Sequence, residues 1–227
     1  MKKCHVFLGL CLLGLMFFLP FRAEAQIALR VETSQMHYLQ YEPVYIRITM
    51  RNVSGHPLAF GENEGLRGSL RFEIQATGTG RYAPLLTKET PPVKGVILQP
   101  GTTRTFTFNV SRYYDVRRIG PYTLKAVISH PQLKAAYESN IAQFSVVTGT
   151  DIWQTAVGVP QYLTKDSGSG IATRRYRIVS YNTGKHFLYV LFIEDKDRVY
   201  LVKRLGLDLG VNLRPRCAVD DLSRLNL

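Results

Sequence analysis

The sequence is poor in cysteine, in tryptophan and in helical periodicity. Of its three cysteines, Cys4 and Cys11 lie in the first 25 residues, which leaves Cys217. A mature chain with one cysteine cannot form an intramolecular disulfide, so its stability must come from packing. No window longer than about ten residues keeps an apolar period of 3.6 without glycine or proline, which argues against a helical fold.

The start of the chain has the composition of a secretory signal peptide. Lys2 and Lys3 are positive, residues 6–18 are apolar, and Ala23-Glu24-Ala25 offers the small residues of a cleavage site. The apolar run is shorter than the roughly 20 residues that a transmembrane helix needs. The sequence therefore predicts a signal peptide over 1–25, export to the periplasm or extracellular space, and no transmembrane helix in the mature chain.

Acidic residues are too few to balance the basic ones. The chain has 29 Lys+Arg and 17 Asp+Glu, and removal of Lys2, Lys3, Arg22 and Glu24 with the signal leaves a net charge of +10. This excess favours contact with anionic material such as an anionic polysaccharide, a cell-wall polymer or lipopolysaccharide. The charges are scattered rather than grouped in a block, so a solvated basic surface without a specific partner is the alternative.

Apolar and polar residues alternate along most of the mature chain, which predicts antiparallel strands with one buried face. Glycine and proline turns such as Pro100-Gly101 and Gly120-Pro121 separate these segments. Short strands with regular turns predict a β-sandwich over 26–148. The predicted strands of this unit are 29–33, 44–51, 70–76, 105–110, 122–129 and 142–146.

Three motifs of this unit resemble the immunoglobulin-like and macroglobulin-like modules of bacterial secreted proteins. They are Tyr41-Glu42-Pro43-Val44 at the start of a strand, Leu98-Gln99-Pro100-Gly101, and Gly120-Pro121-Tyr122-Thr123-Leu124. The resemblance implies an immunoglobulin-like sandwich with no attached activity. It also implies a tyrosine corner at Tyr122, with Leu124 where such modules often have a cysteine.

A second, smaller β unit is predicted over 171–227. Segments 176–181, 187–193 and 199–203 form an antiparallel meander joined by turns at 182–185 and 195–198. Residues 149–170, which end in Ser167-Gly168-Ser169-Gly170, are interpreted as a linker. Three strands are marginal alone, so this unit is expected to pack on the sandwich or to be incomplete.

Catalytic and metal-binding motifs are missing. The sequence has no Gly-x-Ser-x-Gly element, and the mature histidines His37, His56, His130 and His186 lack the spacing of a metal site. We therefore predict no catalytic residue, no metal and no cofactor. Glu62, Asp195 and His186 are the residues that an enzyme with a cleft between the two β units would have to bring together.

The strongest binding candidates are Arg174, Arg175, Tyr176 and Arg177, because arginine beside tyrosine suits sugars and anionic polymers. Trp153 is either a packing residue or an exposed ligand platform. The segments 59–68 and 88–95 are further candidate contact loops.

Two hypotheses remain open. The first is an exported, noncatalytic binding or structural module that contacts an anionic or glycan polymer or an envelope protein, with no nucleic acid expected. The alternative is an enzyme, or an accessory domain of one, that acts on envelope polymers.

Overall fold

The computed structural model describes residues 26–89, 91, 93–159, 172–195, 198–210, 213–220 and 224–227. The predicted signal peptide and residues 160–170 of the predicted linker lie outside these ranges. Within them the chain is built from β-strands and two short 3-10 turns, Glu64–Leu66 and Val110–Arg112, which confirms the all-β class. No helix in the described part has the length and apolar character to span a bilayer.

The first unit contains strands β1 to β11. They are β1 Ile27–Thr33, β2 His37–Leu39, β3 Tyr45–Asn52, β4 Leu58–Phe60, β5 Ser69–Ala76, β6 Arg81–Tyr82, β7 Val96–Leu98, β8 Thr103–Asn109, β9 Gly120–Ser129, β10 Tyr137–Glu138 and β11 Ala142–Val147. The alternation is clearest in β3, where Ile46, Ile48 and Met50 are buried and Arg47 and Arg51 are exposed.

Two sheets of this unit share one apolar core. The smaller sheet has the order β1-β3-β8, and the larger has the order β2-β11-β9-β5-β6, with β10 added on β9. Ile48 and Met50 of the smaller sheet belong to the same buried cluster as Phe72 and Leu124 of the larger sheet. Burial of these side chains, at about 25 cal/mol per Å² of apolar area, stabilises the unit without a disulfide.

The second unit contains strands β12 Thr150–Val159, β13 Ala172–Asn182, β14 Phe187–Glu194, β15 Val199–Leu207, β16 Ala218–Val219 and β17 Leu225–Asn226. The first four form an antiparallel sheet in sequence order, and β16 and β17 pair as a short hairpin. The predicted meander of β13, β14 and β15 is present.

The structure differs from the predicted linker over residues 150–159, which form β12. The pairing of β12 with β13 shifts between Asp151 and Trp153, so Ile152 is an extra residue in the strand. Ile152 and Trp153 both pack on the apolar cluster of Ile178, Tyr189 and Leu191. This bulge places two successive apolar residues on one cluster, which breaks the alternation by which a strand is recognised.

The second sheet packs against one end of the first unit. Leu39 of β2 is buried in a cluster with Val179, Tyr181, Val190 and Phe192. The backbone amides of Met36 and His37 donate to the carbonyl of Thr183, at 3.1 and 3.2 Å. The contact between the units therefore combines apolar burial with main-chain hydrogen bonds.

Candidate functional site

The two units meet in a polar cluster of four side chains, Gln35 and Glu42 of the first unit with Tyr181 and Arg204 of the second, which we call the joint. Glu42 is 6% exposed. Its Oε2 accepts hydrogen bonds from the hydroxyl of Tyr181 at 2.6 Å, the side-chain amide of Gln35 at 3.2 Å and the backbone N–H of Leu39 at 3.0 Å. Its Oε1 accepts from Arg204 Nε at 2.5 Å.

The side chains of the joint also bond to one another across the two units. Arg204 Nη2 donates to Oε1 of Gln35 at 2.7 Å, so the guanidinium contacts both first-unit residues. Burial, together with the hydrogen bond to the Glu42 carboxylate, raises the pKa of Tyr181 well above its ordinary value. A buried carboxylate with this number of donors serves to hold the two units together.

Beside the joint, the turn from Leu39 to Glu42 presents a tyrosine in an unusual backbone conformation. The amide of Glu42 donates to the carbonyl of Leu39 at 2.9 Å, which closes a β-turn. Tyr41 has φ 68°, and a positive φ at this position of a turn favours glycine or asparagine. Its side chain is 44% exposed. A tyrosine held in this conformation while its ring faces solvent suggests a role outside folding.

Tyr41 lines an open groove between the two units, with a volume of about 650 Å³. We call it the inter-unit groove. Four arginines, two carboxylates and two tyrosines are among its lining residues, which belong to both units. These residues are Gln40, Tyr41, Arg117, Arg175, Arg177, Glu194, Asp195, Arg198, Val199 and Tyr200.

Arg175 and Arg177 of the predicted quartet lie in this groove because they are two residues apart in β13 and share one face of the sheet. Arg175 Nε lies 3.1 Å from Glu194 Oε1, and Arg177 Nε lies 3.3 Å from the same oxygen. Arg177 also pairs with Asp151 at 3.2 Å and lies over the ring of Phe192. Arg177 is therefore held tightly, whereas half of the Arg175 side chain is exposed.

On the opposite wall, the first unit contributes Arg117. Its Nε and Nη2 donate to the two carboxylate oxygens of Asp115 at 2.8 and 3.0 Å. The guanidinium holds the pKa of Asp115 below its usual range. The side-chain amide of Gln40 donates a hydrogen bond to the backbone carbonyl of Arg117 at 3.1 Å, which connects Arg117 to the turn that contains Tyr41. The Arg117 side chain still exposes 54% of its surface, so it can contact a ligand.

The other predicted binding residues lie elsewhere. Arg174 does not line the groove; its guanidinium stacks 4.8 Å above the ring of Tyr200 and pairs with Asp195 at 3.5 Å. Tyr176 is 8% exposed. Trp153 is half-buried and packs on the apolar cluster of the second sheet, so it offers no open ligand platform. The pleat of β13 thus divides the predicted quartet between two faces.

The residues that an enzyme would have required are not brought together. His186 and Asp195 flank opposite ends of β14, a separation of about 30 Å for an extended strand. Glu62 lies in a different cleft, where it accepts a hydrogen bond from Lys94 at 2.8 Å. This cleft, with a volume of about 770 Å³, is where the two predicted contact loops meet. Within the described ranges, no three His, Cys, Asp or Glu side chains are close enough to hold a metal ion.

Sequence reasoning missed Tyr41, Arg117, Arg198 and Tyr200 as groove residues. Tyr41 and Arg117 are more than 50 residues before Arg175, and nothing in their local pattern indicates that the fold brings them together. The positive φ of Tyr41 is a tertiary property that its sequence context does not reveal. The chain matches no model of a known protein family, and no curated protein shows significant sequence similarity to it.

Proposed function

We propose that this protein is an exported, noncatalytic binding module that holds an anionic or glycan polymer in the inter-unit groove. The observation that carries the proposal is the convergence of guanidinium groups and tyrosine rings from both units on one open groove. Export is supported by the signal-like composition of residues 1–25.

The chemistry of the groove suits such a polymer. Guanidinium groups bind carboxylate, sulfate and phosphate groups through paired hydrogen bonds, and they are more weakly hydrated than lysine. Arg177 pairs with both Glu194 and Asp151, whereas Arg175 pairs with Glu194 and keeps half of its side chain open to solvent. Tyr41 and Tyr200 are 44% and 52% exposed, so a sugar can stack on the Tyr41 ring or on the face of the Tyr200 ring that Arg174 does not cover.

The rim of the groove is ordered before any ligand arrives. The ring of Tyr200 lies under Arg174, and a hydrogen bond with the Asp195 carboxylate raises the pKa of the Tyr200 hydroxyl. Tyr41 is fixed by its turn, and Arg117 by Asp115. Side chains that are already positioned lose less conformational entropy on binding, which favours affinity.

We also propose that the first unit is an immunoglobulin-like sandwich. The proposal is supported by the hydroxyl of Tyr122, which donates to the carbonyl of Arg118 at 2.8 Å, the contact that a tyrosine corner makes. The ring of Tyr122 stacks on Phe144, with ring centroids 5.1 Å apart, inside the shared core. Leu124 is fully buried, as the cysteine at that position would be.

Retention of the mature protein on peptidoglycan, lipopolysaccharide and polyanionic resins across a salt series tests the function. We expect retention on at least one of them at about 0.15 M salt, where exposed charges alone are strongly screened. The variant R117Q/R198Q should bind that material about tenfold more weakly. The control R71Q/R81Q removes the same charge from exposed sites of β5 and β6 and should change affinity less than twofold. Equal losses of affinity for both variants would show that the material binds by net charge alone, and this result would overturn the proposal of a binding site in the inter-unit groove.

A further inference from the structure

The solvent face of the β1-β3-β8 sheet carries a regular array of charges and hydroxyls, which we call the Arg–Thr face. The register of the three strands places its outward side chains in successive rows across the sheet. Each row contains one arginine and at least one threonine. The rows are Ala28, Arg51 and Thr103, then Arg30, Thr49 and Thr105, then Glu32, Arg47 and Thr107.

The arginines of this face repeat with the pleat. Successive rows are two residues apart along each strand, so the rows are about 6.7 Å apart. Arg51 and Arg47 lie on β3, and Arg30 lies in the row between them on β1, about 4.8 Å to the side. The guanidinium groups therefore follow a shallow zigzag along the sheet, with the threonine hydroxyls of β8 beside it.

The array is open to solvent. The side chains of Arg30 and Arg47 are 71% and 59% exposed. Glu32 pairs with Arg30 at 2.8 Å and approaches Arg47 at 4.0 Å, and it is the acidic residue of these rows. Ion pairs this exposed contribute little stability, and a stronger anion can displace them. The face keeps an excess of positive charge and has no role in the buried core.

We propose that the Arg–Thr face is a second binding site, for a linear polymer of the glycerol phosphate type. Such a chain has as many backbone bonds between successive phosphates as a peptide has over two residues, so both extended chains repeat at a similar length. One phosphodiester can then face the arginine of each row, while the threonines donate to the intervening oxygens. This site is separate from the inter-unit groove and does not rest on its function.

The test measures binding of the exported, purified protein to labelled poly(glycerol phosphate), with inorganic polyphosphate of equal total charge as the comparison probe. We expect tighter binding of poly(glycerol phosphate), because the phosphates of inorganic polyphosphate lie closer together than the rows of the Arg–Thr face. The variant R30Q/R47Q/R51Q should lose at least tenfold in affinity. It should also reduce the slope of log K against log salt by about 2, as expected for three lost phosphate contacts. The control R71Q/R81Q/K134Q removes the same charge from other exposed sites and should change affinity less than threefold.

Two variants that keep the net charge of the protein test the position of the guanidinium in the row. R30Q/T49R moves the guanidinium to the neighbouring strand within the same row, so it should keep the affinity. R30Q/Q143R moves it to the other sheet and should weaken binding about threefold to fivefold. Arg30 and Gln143 are exposed, and Thr49 is half-buried on the outward face, so an unchanged circular dichroism spectrum will verify the fold of each variant. Any of three results would overturn the proposal. They are equal affinity for the two probes, equal losses of affinity in the two triple variants, and failure of T49R to restore the affinity lost in R30Q.

Discussion

The joint and the inter-unit groove lie between the same two units and use the same kinds of side chain, yet they differ in exposure. In the joint, Glu42 is buried and accepts hydrogen bonds from both units. Tyr181 of the joint is 3% exposed, whereas Tyr41 and Tyr200 of the groove are 44% and 52% exposed. The arginines do not differ, because Arg204 and Arg175 both expose half of their side chains. The difference teaches that a buried tyrosine bonded to a buried carboxylate helps to fix the two units, whereas a tyrosine that is open to solvent can contact a ligand.

The largest expected effect separates the two regions by stability. Glu42→Ala removes the acceptor of the Tyr181 hydroxyl, the Leu39 amide and Arg204, and should lower the free energy of unfolding by about 3 kcal/mol. Urea denaturation measures this loss. The exposed Glu32→Ala serves as the matched control, for which we expect a change below about 0.5 kcal/mol. A loss below about 1 kcal/mol for Glu42→Ala would mean that apolar packing and the main-chain hydrogen bonds to Thr183 hold the units together without the joint.

The joint should also give the protein an alkaline limit. Because the pKa of Tyr181 is raised in the folded state, the unfolded chain releases this proton first as pH rises. The stabilisation is complete below the unfolded value near 10 and is lost above it, by up to about 1.4 kcal/mol per pH unit. Urea titrations between pH 9 and 11 should show a smaller decline for Tyr181→Phe than for the wild type. Equal slopes would assign the alkaline loss to other buried tyrosines, such as Tyr38 and Tyr114, whose pKa values burial also raises.

The smallest expected effect is a loss of binding affinity that leaves the stability of the protein nearly unchanged. Tyr41→Gly relieves the positive φ, at a cost of chain entropy in the unfolded state of similar size, so stability should change by less than about 0.5 kcal/mol. Loss of the ring should weaken binding to the material retained in the groove by about fivefold, or about 1 kcal/mol. Tyr82→Gly, a second exposed tyrosine outside the groove, is the binding control. Unchanged affinity for Tyr41→Gly would show that the Tyr41 ring does not contact the bound material.

The sequence was sufficient to predict the strands because alternation is a local property. Residues such as Ile46, Ile48 and Met50 show it directly, and the structure buries each of them. The alternation failed at β12, where a bulge places Ile152 and Trp153 on the same cluster. In the candidate site, Arg175 and Arg177 were predicted, but the predicted strand began at Tyr176. The strand begins at Ala172, and this extension places Arg175 and Arg177 on one face and Arg174 and Tyr176 on the other.

The amino-acid sequence by itself determined the all-β class, the lack of cysteine in residues 26–216 and the basic balance of the chain, because each follows from composition or from neighbours within a few residues. Only the tertiary structure decided that Glu42 meets Tyr181 and Arg204, and that Tyr41 and Arg117 face Arg175 across a groove. These contacts join residues more than 50 positions apart. Their partners are chosen by the packing of the second sheet on the first unit, and no local pattern records that choice.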